Sequence, residues 1–275
     1  VEVSNIVTGT KKSTQSNDKK YGNKILYFEL GPKDDHDFSV TYNVTRAEVN
    51  AIERQGVEPK PLTQQEQKLF LTANRNVPIT GKPLGLLPRF DTIASLQKAR
   101  LIYDRVDSHV KYDKSKPGYG NGDVDWVCDS RFGNCTDFHS LFIAMARSQA
   151  IPAKFEIGFP IPAAKKGTIG GYHCWASFFD EHKGRIPVHI SEADKHPEMK
   201  EYYFGNLTKD RVAFTTGRDL VLEPPQAGPP LNFFVYPYVE VDGKPLKKEN
   251  IRAVFEYEDL PQPDALKLGK LRVAP

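Results

Sequence analysis

Apolar residues recur along this chain with two different periods, and the switches between them predict a mixed architecture. Alternation with a period of two runs over residues 24–30 and 37–49, with Pro32, Asp34 and Asp35 between, and predicts an N-terminal hairpin. Residues 1–20 are polar and lysine-rich with no apolar period, so they read as a loose or edge segment. Thr63 and Glu66 then form a capping-box pattern ahead of Leu69, Phe70 and Leu71, which predicts a short helix stopping by Pro78. Pro78, Gly81, Pro83, Gly85 and Pro88 crowd the next stretch and mark a boundary. A longer helix follows, with Asp91 as its cap and Ile93, Leu96, Tyr103, Val106 and Val110 along one face.

Residues 116–134 are rich in Gly, Asp and Lys and read as a long loop, a length that compact domains reserve for functional or mobile segments. Gly133 and Asn134 then supply turn and cap, and Phe138, Leu141, Phe142 and Met145 recur at helical spacing until Ile151 and Pro152 stop the run. Strands are expected over 154–161, 172–179 and 185–191, the last two joined by a tight turn. Residues 211–222 return to the sheet, Asp242-Gly243 signals a second hairpin between 232–241 and 251–257, and the last fifteen residues read as a tail. A helix followed by an antiparallel meander is an α+β arrangement. The expected organisation is a β-rich region with a short helix over 1–82, a main domain over 83–225, and C-terminal strands and tail over 226–275.

Composition narrows this picture. The 275 residues carry 38 basic and 35 acidic side chains, a net charge of +3 that is too balanced to argue for nucleic acid. No apolar run is long enough to span a bilayer, so membrane insertion is not expected. Three cysteines do not make a disulfide scaffold at this size; in an oxidising compartment Cys128 and Cys174 could pair and leave Cys135 free. The chain begins at Val1, so its start is expected to be processed or trimmed.

The chemistry concentrates on Cys135. It stands on the first turn of a helix, where unpaired N–H groups and the positive end of the dipole favour a thiolate. His173 is presented on a strand, and if its face lies against the start of the cysteine helix the two form a thiolate–imidazolium pair. The turn at 180–184 brings His189 opposite His173 or within one residue pair of it, where a group that orients the imidazole belongs. His139, one turn after Cys135, reads as a hydrogen-bonded packing residue, and Cys174 as a buried apolar residue or half of a disulfide. The run Gly122-Asp123-Val124-Asp125 lacks the glycine and glutamate spacing of a calcium loop, and the cysteines and histidines lack zinc-site spacing. No metal or cofactor is expected.

Three motifs in order carry a resemblance. Gly-Asn-Cys135-Thr-Asp-Phe-His-Ser-Leu-Phe-Ile-Ala, then Gly171-Tyr-His173-Cys-Trp-Ala176, then Ile186-Pro-Val188 ahead of Ser191-Glu-Ala193 resemble the bacterial branch of the transglutaminase-like superfamily over about residues 88–222. The resemblance implies a papain-like core, with Cys135 as nucleophile, His173 as general base and position 189 as the acidic third member. Two positions depart from the pattern: Arg185 stands where the family shows Trp, and His189 where it shows Asp. It implies acyl transfer on peptide or glutamine amides, by hydrolysis or transamidation, in the periplasm or outside the cell, with the Cys135 N–H and a donor such as Trp126 holding the oxyanion. The alternative that His189 favours is a catalytically silent module that holds a peptide in the same cleft.

Overall fold

The computed structural model describes residues 2–8, 13–34, 37–54, 56, 58–90, 93–260 and 268–274. The chain folds as α+β in two compact units, both discontinuous in sequence. One unit takes residues 1–47, 157–172 and 209–275, the other 48–156 and 173–208. Residues 48–82, grouped by composition with the N-terminal region, thus fall in the unit that carries Cys135.

The first unit is built on a five-stranded antiparallel sheet in the order Glu2–Thr8, Ser39–Thr45, Leu268–Ala274, Val254–Asp259, Lys166–Thr168. Both chain ends are therefore strands, not the loose segment and tail that their polar patterns predict. Pairing with strands distant in the sequence supplied what local apolar content did not. The expected hairpin over 24–49 is also replaced: Lys24–Phe28 pairs with Ser13–Asn17, while Ser39–Thr45 joins the large sheet. Asp242-Gly243 does turn a hairpin, with φ of 51° and 71°, but its arms are only Glu240–Val241 and Lys244–Pro245. Gly158 is obligatory in this unit, because a Cβ there would meet the Val212 carbonyl oxygen at 1.8 Å.

The second unit packs five helices around a sheet. The helices are α1 (Gln64–Leu71), α2 (Ser95–His109), α3 (Val124–Ser130), α4 (Cys135–Ser148) and α5 (Ile190–Lys195). Its strands Gly184–Val188, His173–Asp180 and Ala153–Pro160 lie side by side, the last crossing out of the unit after Glu156. The Thr63 and Glu66 capping box forms as predicted and starts α1. Tyr103, Val106 and Val110 are fully buried along α2, while Asp91 lies outside the described residues and the N-cap is Ala94. The 116–134 stretch contains α3, capped by Asp123, whose carboxylate accepts the Trp126 N–H at 3.3 Å. That use as a cap accounts for Asp123 without a cation.

Helix α4 is the centre of this unit: every residue from Cys135 to Arg147 is buried. A helix enclosed on all sides has no solvent face on which to place polar groups, so each one needs a partner. At its C-terminal end Arg147 donates to the carbonyls of Thr72 and Ala153 and to Asn74 Oδ1, at 2.7–3.0 Å. Phe142 meets Phe178 of the neighbouring strand at 6.1 Å between ring centres.

Candidate active site

Asn134 caps α4 by accepting the Thr136 N–H at 2.8 Å. Asp137 closes the box from the other side, its carboxylate accepting the N–H groups of Asn134, Gly120 and Gly122 at 2.7–2.9 Å. One buried carboxylate thus ties Gly120 and Gly122 to the helix start. Burial pushes its pKa up to about 6, against three backbone hydrogen bonds that pull it down. Gly133 leaves room for it, since a Cβ there would stand 2.5 Å from Asp137.

The structure places Cys135 on the first residue of α4 with 3% of its surface exposed. Burial by itself would raise its pKa, yet the thiol is held well below the ordinary range, because Cys174 hydrogen-bonds to it and His173 adds both charge and a hydrogen bond. Cys174 pays the reciprocal cost: burial and the neighbouring sulfur push its own thiol well up. All three cysteines are free. The face of the His173–Asp180 strand that covers α4 is the one bearing Cys174, which lies 3.8 Å from both Thr136 Oγ1 and His139 Nδ1. Cys174 is therefore a neighbour of the Cys135 sulfur, and His173 reaches Cys135 from the end of the strand.

His173 and His189 come together as the hairpin geometry requires. The register pairs Ala176 with Val188; continued, it sets His189 across from Trp175, two positions from His173 and one step further than expected, on the diagonal of the same face. Their Nε2 atoms lie 2.5 Å apart, so one nitrogen holds a proton and the other accepts it. This leaves Nδ1 of His173 for the Cys135 thiol. Glu192 Oε1 stands 3.5 Å from His173 Nε2 and 2.5 Å from Lys195 Nζ. Lys195 in turn lies 4.0 Å from the centre of the Tyr112 ring. Asp194 faces away, accepting from the Tyr112 N–H at 2.9 Å and Lys111 Nζ at 2.7 Å. Arg185 stacks 4.5 Å over the Phe70 ring of α1, so the cation at the family's Trp position packs as a plane.

His139 is spent at both nitrogens. Its Nε2 accepts the Ile190 N–H at 3.1 Å, which makes Nδ1 the protonated atom, and Nδ1 donates to the Cys135 carbonyl at 2.6 Å. Burial pushes its pKa down to about 4. It is a packing histidine, as its position predicts, and it fastens the residue after His189 to the residue that bears the sulfur. Trp126 packs edge-on against Phe132 at 5.2 Å.

Comparison with known proteins agrees with the resemblance that these motifs carry. Residues 90–190 match the model of the transglutaminase-like superfamily. An uncharacterised protein of Haemophilus influenzae is 33% identical over 196 residues, 59% of this chain and 53% of that one, so the chain spans about half the length of this relative. A crystal structure from Cytophaga hutchinsonii, named as a candidate cysteine protease, is 17% identical with a TM-score of 0.47 over 79% of this chain and 70% of that one. The periplasmic domain of TgpA from Pseudomonas aeruginosa is 11% identical with a TM-score of 0.35, over 69% and 79% of the two chains. No helix among the described residues is long and apolar enough to cross a membrane. The helix that carries Cys135 and the strands that carry His173 and approach His189 thus lie within the matched segment, and over residues 90–190 the chain carries a transglutaminase-like core domain.

Proposed function

We propose that this domain performs thiol-dependent acyl transfer on peptide or glutamine amides, with Cys135 as nucleophile and His173 as acid and base. The observation that carries this reading is the placement of Cys135 at the start of α4 with His173 and Cys174 beside its sulfur, neighbours that favour the thiolate despite burial. The thiolate attacks the amide carbonyl, and the backbone N–H of Cys135 stabilises the oxyanion. His173 then gives its proton to the leaving amine, and the C–N bond breaks to leave a thioester on Cys135. Water releases an acid, or an acceptor amine forms a new amide.

With His173 protonated at Nε2, as in the thiolate–imidazolium pair, His189 takes the acceptor's place that an aspartate would fill, without the charge. Glu192 supplies a negative charge 3.5 Å from the same ring nitrogen. Iodoacetamide at about pH 6–7 is expected to label Cys135 ahead of Cys128 and Cys174, and intact mass after peptide treatment to show one adduct on Cys135. Equal, slow labelling of all three would overturn the reading. His189→Asp is expected to raise turnover. The periplasmic or secreted setting implied by the bacterial resemblance belongs to the same proposal, and cell fractionation checks it.

A silent peptide-binding module is the second reading, favoured by the His173–His189 contact and the 3% exposure of Cys135. Peptide binding retained in Cys135→Ala, with no adduct on the parent protein, would select it.

A further inference from the structure

We propose that His173, His189 and Glu192 form a binding site for a zinc-type divalent ion, and that its occupancy silences the Cys–His pair. Each residue offers one ligand atom, all within 4.8 Å of one another, and no cysteine takes part. Among the described residues this is the cluster of metal-ligating side chains in the molecule. Two imidazoles and one carboxylate are the protein ligands of hydrolytic zinc sites, and imidazole selects zinc, cobalt, nickel or copper over magnesium and calcium. Aspartate at position 189 would have left one imidazole and two oxygens, a harder set.

The spacing is close to what an ion needs. With metal–ligand bonds of about 2.0–2.1 Å, tetrahedral ligand atoms lie about 3.3 Å apart. His173 Nε2 and Glu192 Oε1 are already 3.5 Å apart. The two ring nitrogens, at 2.5 Å, have to open by about 0.8 Å to reach that tetrahedral separation.

The platform is firmly held. His189 is the N-cap of α5 and Glu192 its third residue, whose N–H donates to the His189 carbonyl at 3.1 Å. The His189 N–H donates to the Tyr203 carbonyl at 3.0 Å, and the next N–H is fixed by His139. Lys195 holds Glu192 Oε1 and competes with the ion for it; a dication replaces the charge that the ammonium provides. The site also competes with the mechanism. The ion takes the His173 lone pair at Nε2, and the ring no longer passes its Nε2 proton to His189.

Binding itself does not depend on the proposed activity; only the silencing does, and the two are measured apart. Chelator-treated full chain is titrated calorimetrically with Zn2+ and, separately, by visible absorption with Co2+. One ion per chain is expected. His189→Ala and Glu192→Gln should each weaken binding about 100-fold, while Cys135→Ser stays within about threefold. Absence of stoichiometric Zn2+ binding would overturn the site, as would full affinity in Glu192→Gln with a parent-like circular dichroism spectrum. Loss of binding in Cys135→Ser would instead assign the ion to the thiol. On a parent protein that forms the acyl-enzyme, Zn2+ should abolish the adduct and chelator restore it; an adduct formed at saturating Zn2+ would refute silencing while leaving the site intact.

Discussion

The two ends of α4 are both buried and both carry polar groups, yet they are finished in opposite ways. At the C-terminal end Arg147 spends its guanidinium on two carbonyls and an amide, a set of bonds with no titrating member in the neutral range. At the N-terminal end a thiol, a second thiol, two histidines in contact and a carboxylate share a few ångströms, and several of their pKa values are displaced. The first end closes the helix; the second keeps protons exchangeable. Burial alone therefore does not mark a site. What marks it is burial of groups whose charge depends on one another.

The largest effect that tests this contrast is at the inert end. Arg147→Met is expected to cost about 3–5 kcal/mol in urea denaturation, because buried carbonyls lose a charged donor. Cys135 in the folded fraction should still take iodoacetamide at the parent rate. A parallel loss of thiol reactivity would show that the two ends are not separable.

The next effect reads the pH response of the reactive end. His139 has a folded pKa of about 4 against an ordinary 6.5, so its contribution to stability is complete above pH 6.5 and is lost as pH falls toward 4. The loss amounts to roughly 3 kcal/mol. Asp137, raised to about 6, works in the opposite sense, since folded protein then holds a proton that the unfolded chain releases. The difference between parent and His139→Gln isolates the histidine: the parent's advantage should shrink by roughly 3 kcal/mol between pH 7 and 4. A constant gap would mean that the ring takes up its proton at the same pH in the folded and unfolded chain, so that burial does not oppose its charge.

The smallest effect concerns the second sulfur. Cys174→Ala removes a hydrogen-bond donor from the Cys135 thiolate and leaves a methyl-sized gap. Labelling of Cys135 near pH 6 should slow about tenfold, one pKa unit, with stability changed by about 1 kcal/mol. Unchanged labelling would leave His173 as the main support of the thiolate.

Much of the reactive end was legible in the sequence, because it rests on local rules. Asn134 before an apolar period announces a cap, and the turn at 180–184 sets the pairing that brings His189 to His173. What escaped depends on partners far along the chain. Asp137 carries no distinguishing signal in the sequence, and only its reach to Gly120 and Gly122 makes it an anchor. Helix α3 hides in a stretch whose glycines and aspartates suggest loop, although Val124 and Val127 are fully buried at helical spacing. The strand Leu268–Ala274 looks like a tail because its neighbours, Ser39–Thr45 and Val254–Asp259, supply the pairing. The role of Cys174 followed from which face of its strand meets α4, a choice that alternation leaves open.

The discontinuous build of the second unit bears on how the domain can be moved or shortened. The superfamily match ends at residue 190, where α5 begins. A fragment cut at the edges of that match would discard Glu192 with its Lys195 clamp, the Tyr203 carbonyl under His189, and Thr72 and Asn74 beneath Arg147. The smallest portable piece therefore starts ahead of Thr72 and runs past Tyr203, well beyond the stretch by which its kinship is recognised.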